Sequence, residues 1–124
     1  MEREILFKKL SYEIVGAAIR VWKTLGYGFL EKVYENALAI ELEKHGMAFE
    51  QQRPIKVYYG GKLVGEYVAD FIVDGKIILE LKSSKGIEDA HIAQTLNYLK
   101  ATDLRLAVIL NFGPERLAHK RVIL

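Results

Sequence analysis

The chain has 124 residues, of which 51% are apolar, so it can build one sizeable core but leaves little room for a second folded domain. We therefore interpret residues 1–124 as a single domain. The absence of cysteine excludes a disulfide framework and thiolate metal sites, which agrees with a reducing compartment and makes the cytoplasm the expected location. The net charge of +2 gives no strong electrostatic indication of a nucleic-acid partner.

Two helices are predicted at the start of the chain. Apolar residues recur every three to five positions from Glu4 to Leu25, as in an amphipathic helix, and Gly26 is a stop signal. Charged residues interrupt this segment, so we expect neither a signal peptide nor a membrane span. After the break at residues 26–28, a second helix is predicted from about Leu30 to His45, with Gly46 as its C-terminal cap.

Three strands with hairpin signals are predicted next. The first runs from Ile55 to Tyr59, Gly60-Gly61 turns the chain, and the second runs from Leu63 to Val73. After a turn at Asp74-Gly75, the third strand extends from Lys76 to Lys82. It is apolar on both faces, which predicts a central, covered position in the sheet.

The remainder of the chain completes an α/β pattern. A third helix is predicted from about Ile87 to Ala101, a buried strand from Leu104 to Leu110 and a last strand from Arg121 to Leu124. The resulting order, ααβββαββ, predicts helices packed on a mixed sheet.

Three charged residues, Asp70, Glu80 and Lys82, occupy strand positions where apolar residues are typical. An unpaired charge in a covered sheet is costly. In one interpretation, Asp70 lies at the rim of the sheet and the other two face solvent. In the other, Asp70 and Glu80 share a divalent cation such as Mg²⁺, and Lys82, on the same face as Glu80, orients the attacking water or stabilises developing charge. The second interpretation predicts phosphodiester hydrolysis.

The metal hypothesis makes a geometric prediction about this hairpin. A two-residue turn at Asp74-Gly75 would pair Ala69 with Glu80 and direct Asp70 to the opposite face. A three-residue connection or a bulge shifts the register by one and brings Asp70, Glu80 and Lys82 to one face. The metal site therefore requires an odd-length connection or a bulge.

Three sequence elements resemble known nuclease motifs. Asp70, nine further residues and then Glu80-Leu81-Lys82 resemble the D…(D/E)XK pattern of the PD-(D/E)XK nuclease superfamily. Residues 28–34, GFLEKVY, are similar to the signature of the bacterial GxxExxY proteins, and residues 94–98, QTLNY, to the QxxxY element of RecB-like members. The likeness to GxxExxY proteins covers nearly the whole chain. It implies a restriction-endonuclease-like αβββαβ core, with a mixed central sheet flanked by helices and an extra N-terminal helix.

The resemblance also implies roles for individual residues. Asp70 and Glu80 correspond to the metal-binding carboxylates and Lys82 to the catalytic lysine, with Mg²⁺ or Mn²⁺ as the cofactor. Glu31 corresponds to a helix glutamate that can add a carboxylate to the metal centre, although the helix dipole alone would favour a glutamate there. Ala69 replaces the proline that often precedes the first aspartate of the superfamily.

Further candidates lie on the helices. His91, Gln94 and Tyr98 share a helix face. Gln94 could hold a phosphate or Lys82, Tyr98 could contact a nucleotide, and His91 could line the entrance or be an ordinary surface histidine. Tyr34 could contact substrate or pack in the core with its hydroxyl bonded.

Taken together, the sequence predicts a metal-dependent nuclease acting on nucleic acid, with DNA as the expected substrate. The alternative is a catalytically silent nucleic-acid-binding or protein-interaction module on the same fold. So short a chain could embrace a duplex only as a homodimer or with a partner protein, and the first helix with Trp22 is a candidate interface, unless Trp22 packs in the core. Four charged side chains could form a phosphate track or be solvated: Arg53, Lys56, Lys62 and Lys85.

Overall fold

A computed structural model of the chain describes residues 5–124, so the predicted helix start at Glu4 lies outside the described residues. The elements are α1 Lys8–Leu25, α2 Glu31–Lys44, β1 Phe49–Tyr59, β2 Lys62–Val73, β3 Ile77–Lys82, α3 Asp89–Thr102, β4 Leu106–Phe112 and β5 Leu117–Ile123. This order confirms the predicted α/β fold class. In the described range, every helix is too short or too polar to cross a membrane.

The five strands form one mixed sheet in the order β1-β2-β3-β4-β5. β3 and β4 are parallel, and the other neighbouring pairs are antiparallel. Helices α1 and α2 cover one face of the sheet, packing on Phe71, Leu79 and Val108, whereas α3 covers the other face over Ile78 and Ile109. Since β3 is the middle strand and almost entirely buried, its predicted central position is confirmed.

Two strands begin earlier than the sequence predicted. β5 starts at Leu117 rather than Arg121, and β1 starts at Phe49 rather than Ile55. The additional part of β1, residues 50–54, is mostly exposed and polar because β1 is an edge strand and does not need an alternating apolar pattern. An edge strand also tolerates Pro54, whose nitrogen cannot donate a hydrogen bond.

The turn between β1 and β2 follows the prediction. Gly60 and Gly61 both have positive φ, at 59° and 78°, and they join the paired residues Tyr59 and Lys62. This two-residue connection needs positive φ at both central positions, which glycine adopts without steric cost. The resulting β1–β2 hairpin is longer than β3. Asp70 lies near the end of the hairpin that pairs with β3.

Candidate active site

The connection between β2 and β3 contains three residues, 74–76. The paired residues that flank it are Val73 with Ile77, Ile72 with Ile78 and Phe71 with Leu79. One further step in this register places Asp70 opposite Glu80, as an odd-length connection requires. Asp74 and Gly75 make this turn with φ of 53° and 64°. The geometric condition set by the metal hypothesis is thus confirmed.

Beyond these three pairs, β2 separates from β3, and the carboxyl groups lie at the separation. The Oδ2 atom of Asp70 accepts a hydrogen bond of 2.8 Å from the backbone N–H of Leu81, so a side chain contacts β3 where a strand carbonyl would otherwise do so. Glu80 is only 4% exposed, and its buried Oε1 atom has no hydrogen-bond partner. The site therefore contains one anchored carboxyl group and one buried carboxyl group with an unused acceptor.

The charges of these groups act on one another. The pKa of Glu80 is raised to about 9, chiefly by burial and also by the neighbouring charge of Asp70, while the positive charge of Lys82 acts in the opposite direction. Burial also raises the pKa of Tyr98 to about 12, assisted by the charges of Glu80 and Asp70. Tyr98 of α3 and Lys82 of β3 therefore belong to the same electrostatic cluster as the two carboxyl groups.

A third carboxylate, Glu35 on α2, is connected to this cluster, and the sequence reasoning missed it. Glu35 is 5% exposed and accepts hydrogen bonds from Lys32, at 3.0 Å, and from Gln51 and Gln52. The same amide nitrogen of Gln52 reaches Glu35 Oε1 at 2.8 Å and Asp70 Oδ1 at 3.3 Å. Gln52 thus connects the α2 carboxylate to Asp70.

Glu31, the helix glutamate that was predicted to add a carboxylate to the metal centre, lies outside this cluster. It is the first residue of α2 and is exposed, in the position where the helix dipole favours a glutamate. Glu35 follows one helical turn later on the buried side, and this spacing was the signal that could have identified it. The metal role of Glu31 stays a prediction, whereas Glu35 is the α2 carboxylate that the structure connects to Asp70.

Tyr34 belongs to the core, as one of its two predicted roles requires, and its contact with substrate stays a prediction. It is fully buried, and its ring stacks on Phe112 with 4.5 Å between centroids. Its hydroxyl donates to the carbonyl of Gly26 at 2.6 Å and accepts from the N–H of Phe29 at 3.2 Å. These bonds fix the α1–α2 loop, and Ser83 at the end of β3 donates to the carbonyl of Phe29.

Helix α3 brings one of its three candidates into the cluster. Tyr98 is 5% exposed, and its ring centroid lies 5.3 Å from that of Tyr67 on β2. Gln94 is exposed one turn earlier, and its catalytic role stays a prediction. His91 has a structural function, since its Nδ1 accepts a hydrogen bond from the N–H of Glu88 in a capping box at the start of α3. A substrate contact by His91 stays a prediction.

Trp22 is engaged within the chain, as its predicted alternative of core packing requires. Its Nε1 donates to the carbonyl of Gly113 at 2.9 Å, and its ring packs against the core beneath α1. Homodimerisation itself stays a prediction.

Comparison with known proteins identifies the family of this chain. The model of the PD-(D/E)XK nuclease superfamily matches residues 8–122, nearly the whole chain. The chain belongs to the PD-(D/E)XK nuclease superfamily. The crystal structure of SSO0001 is similar in fold, with a TM-score of 0.62 and 19% identity over 94% of this chain; the chain spans 61% of that protein. No curated protein matches the sequence.

Membership of the PD-(D/E)XK superfamily confirms the predicted superfamily and the restriction-endonuclease-like fold, and it suggests a nuclease. The assignment to the GxxExxY family within it stays a prediction. The matched range includes Asp70, Glu80 and Lys82, and their roles as the D…(D/E)XK residues stay a prediction.

The residues present fit the divalent metal that PD-(D/E)XK nucleases typically use. Residues 5–124 contain no preformed cluster of three or more Asp, Glu, His or Cys side chains, so the chain offers a carboxylate pair rather than a full ligand cage. Mg²⁺ is commonly held by one or two carboxylates together with waters and substrate phosphates. The unpartnered Oε1 of Glu80 is a suitable acceptor for such a cation.

Proposed function

We propose that this protein is a metal-dependent nuclease that hydrolyses phosphodiester bonds in DNA, with Mg²⁺ or Mn²⁺ as its cofactor. The observation that carries the proposal is the three-residue β2–β3 turn, which sets the register that places Asp70 opposite Glu80 at the point where the strands separate. A sheet stabilised by apolar pairs alone would have no need of two carboxyl groups there, because burying them is costly.

Asp70 and Glu80 are the proposed metal ligands. A bound divalent cation would polarise the scissile phosphate and lower the pKa of a bound water. Asp70 is pre-oriented by the N–H of Leu81, and Glu80 is held in a buried position by β3. Ligands fixed in this way lose little freedom when a cation binds.

Lys82 is the proposed catalytic cation. It is half-buried at the end of β3, on the face that carries Glu80, and its charge acts on that carboxyl group. From this position, its ammonium can donate hydrogen bonds to a phosphate oxygen or hold the attacking water in line with the phosphorus atom. Since charge builds up on the phosphate oxygens during hydrolysis, a partly buried ammonium stabilises the transition state more than an exposed one would.

Gln52 and Glu35 are proposed to position Asp70. Both oxygens of Asp70 accept a hydrogen bond, Oδ1 from Gln52 and Oδ2 from Leu81, so the orientation of the carboxylate is fixed. Gln52 is in turn held by Glu35. Partners of this kind orient metal ligands and commonly affect metal affinity when they are removed.

The choice of DNA rests on the resemblance to RecB-like nucleases, and a cleavage assay tests it. Single-stranded, duplex and branched DNA and an RNA of the same sequence are incubated with Mg²⁺ or Mn²⁺. We expect the wild type to cut DNA and expect Asp70→Asn and Lys82→Ala to reduce cleavage at least about a hundredfold. Asp74→Asn and Lys76→Ala, exposed in the same hairpin, are the matched controls and should retain activity.

The outcomes separate the alternatives. Cleavage of RNA but not DNA would retain the nuclease proposal and reject the substrate. Binding of nucleic acid without any cleavage, together with no measurable metal binding, would reject the enzyme in favour of a binding module.

A further inference from the structure

A groove of about 800 Å³ lies between the β3–α3 loop, the start of α3 and the β4–β5 turn. Four of its lining residues carry basic side chains: Lys85, Arg116, His119 and Lys120. Glu115 is the acidic residue among the lining. The groove therefore has an excess of positive charge even with all histidines neutral.

The cations of the groove are available to a ligand. Lys85, Arg116 and Lys120 are exposed, and none of them takes part in the side-chain ion pairs found within residues 5–124. Arg53, by contrast, is paired with Glu50 at 3.0 Å. Of the four side chains that the sequence offered as a phosphate track, Lys85 is the one that lies in this groove.

Buried polar contacts hold the walls of the groove in place. The side chain of Asn111, 1% exposed, accepts from the N–H of Ser84 and donates to its carbonyl, both at 3.0 Å, which fixes the loop that carries Lys85. On the other wall, the N–H of Gly113 donates to the carbonyl of Arg116 at 3.2 Å. A Cβ atom at Gly113 would lie only 3.1 Å from that carbonyl oxygen, so the turn is closely packed at this position. The charges thus stand on an ordered frame.

The sheet register relates the groove to the proposed catalytic residues. Glu80 is paired with Ile109, and Ile109 is paired with Lys120, so Lys120 lies two strands from Glu80 on the same face of the sheet. At about 4.8 Å per strand, the two Cα atoms are roughly 10 Å apart. At this separation, Lys120 can contact a phosphate within a few nucleotides of one held at the carboxylate pair.

We propose that this groove binds the phosphodiester backbone of a nucleic-acid strand within a few nucleotides of the bond that is cleaved. The inference rests on the proposed function for the identity of the ligand. It adds where the nucleic-acid strand lies and in which direction it runs from the carboxylate pair. A nucleic-acid backbone fits because the cations of the groove are separate from one another and none lies in a buried pocket. A row of phosphates can contact several such cations at once.

The test is the salt dependence of binding. A fluorescein-labelled single strand of about 20 nucleotides is titrated with protein in EDTA at several salt concentrations, and binding is followed by anisotropy. Lys85→Gln/Lys120→Gln removes two groove charges. Lys9→Gln/Lys23→Gln removes two exposed charges from α1, on the opposite face of the sheet, and is the matched control.

We expect the groove variant to bind more weakly and to lower the slope of log K against log salt by about 1.4, since each phosphate contact on a single strand contributes about 0.7. The control should keep the wild-type slope, and Glu115→Gln should bind more tightly. Equal slopes for the two double variants, or no detectable binding by the wild type, would overturn the inference.

Because EDTA prevents metal-dependent cleavage, this result is independent of turnover. A lower slope for the groove variant in a protein that cuts nothing would support the groove and reject the nuclease. Cleavage by the wild type with an unchanged slope in the groove variant would support the nuclease and reject the groove as a binding site.

Discussion

The two ends of the β2–β3 pair differ in chemistry. Next to the turn, three successive pairs are apolar and buried, from Val73 with Ile77 to Phe71 with Leu79. One residue further, the strands separate, and the facing positions carry the carboxyl groups of Asp70 and Glu80. The apolar end stabilises the hairpin and sets its register, whereas the separated end uses that register to bring two charges together at an energetic cost.

The position of the carboxyl groups therefore depends on the length of the turn that joins β2 and β3. Each residue added to or removed from the connection reverses the faces of one strand relative to the other. The apolar pairs tolerate some rearrangement because several hydrophobic residues are interchangeable in packing. The carboxyl pair does not tolerate such rearrangement, because both carboxyl groups must lie on the same face of the sheet to bind one cation.

The largest effect is expected from shortening the turn. Deleting Lys76 leaves a two-residue connection, which would direct Asp70 away from Glu80 and reduce cleavage at least about a hundredfold. The matched control is Gly75→Ala, which keeps the turn length but places a side chain at φ of 64°, at a cost of about 1 kcal/mol. Cleavage rates and circular dichroism are measured for both variants. A folded deletion variant with wild-type activity would show that the register does not control the site.

A smaller effect is expected at Gln52, which supports the separated end. Gln52→Ala removes the amide that joins Glu35 to Asp70 and should weaken Mn²⁺ binding about tenfold by calorimetry. Gln52→Gly removes the same amide but relieves the backbone, whose φ is 53°. We expect equal loss of affinity in the two variants and higher thermal stability in the glycine variant. Unchanged affinity in both would remove Gln52 from the positioning role.

A third effect concerns the stability of the metal-free protein against pH. The pKa of Glu80 is about 9 in the folded chain and about 4.5 as a free side chain, so the folded state retains its proton more strongly. The stabilisation that this proton provides is fully present below the lower pKa and is lost as pH rises towards the higher one. In EDTA, the unfolding temperature should therefore fall between about pH 5 and about pH 9.

The control for this pH dependence is Glu80→Gln, which cannot ionise. Its unfolding temperature should vary less with pH than that of the wild type, and it should exceed the wild-type value at the alkaline end, because a buried charge has been removed. Parallel curves for the wild type and the variant would show that folding leaves the pKa of Glu80 unchanged.

The sequence predicted most of the fold because strand and helix periodicity follow from burial. The early part of β1 was missed because residues 50–54 are polar and lie on an edge strand, where no apolar alternation is needed. Asp74-Gly75 was identified as a turn, but its length was left open, since glycine permits either register. Pairing of the apolar residues decides between them, and that depends on the whole sheet.

The candidate site was predicted in part. Asp70, Glu80 and Lys82 were identified from charges in an apolar strand, a signal that is local in sequence. Glu35 was missed because its burial depends on how α2 packs and on two glutamines from the early part of β1, which had not been predicted. Both roles of Tyr34 were left open because a tyrosine in a motif does not show whether its hydroxyl faces solvent or the backbone.

The most direct test of the central claim is calorimetric titration of Mn²⁺ into the wild type and three single variants. The account predicts that the wild type binds the cation, that Asp70→Asn and Glu80→Gln each lose this binding, and that Asp74→Asn, at the turn of the same hairpin, retains it. Wild-type affinity in Asp70→Asn or Glu80→Gln, or no binding by the wild type, would contradict the claim that the three-residue turn assembles a metal site.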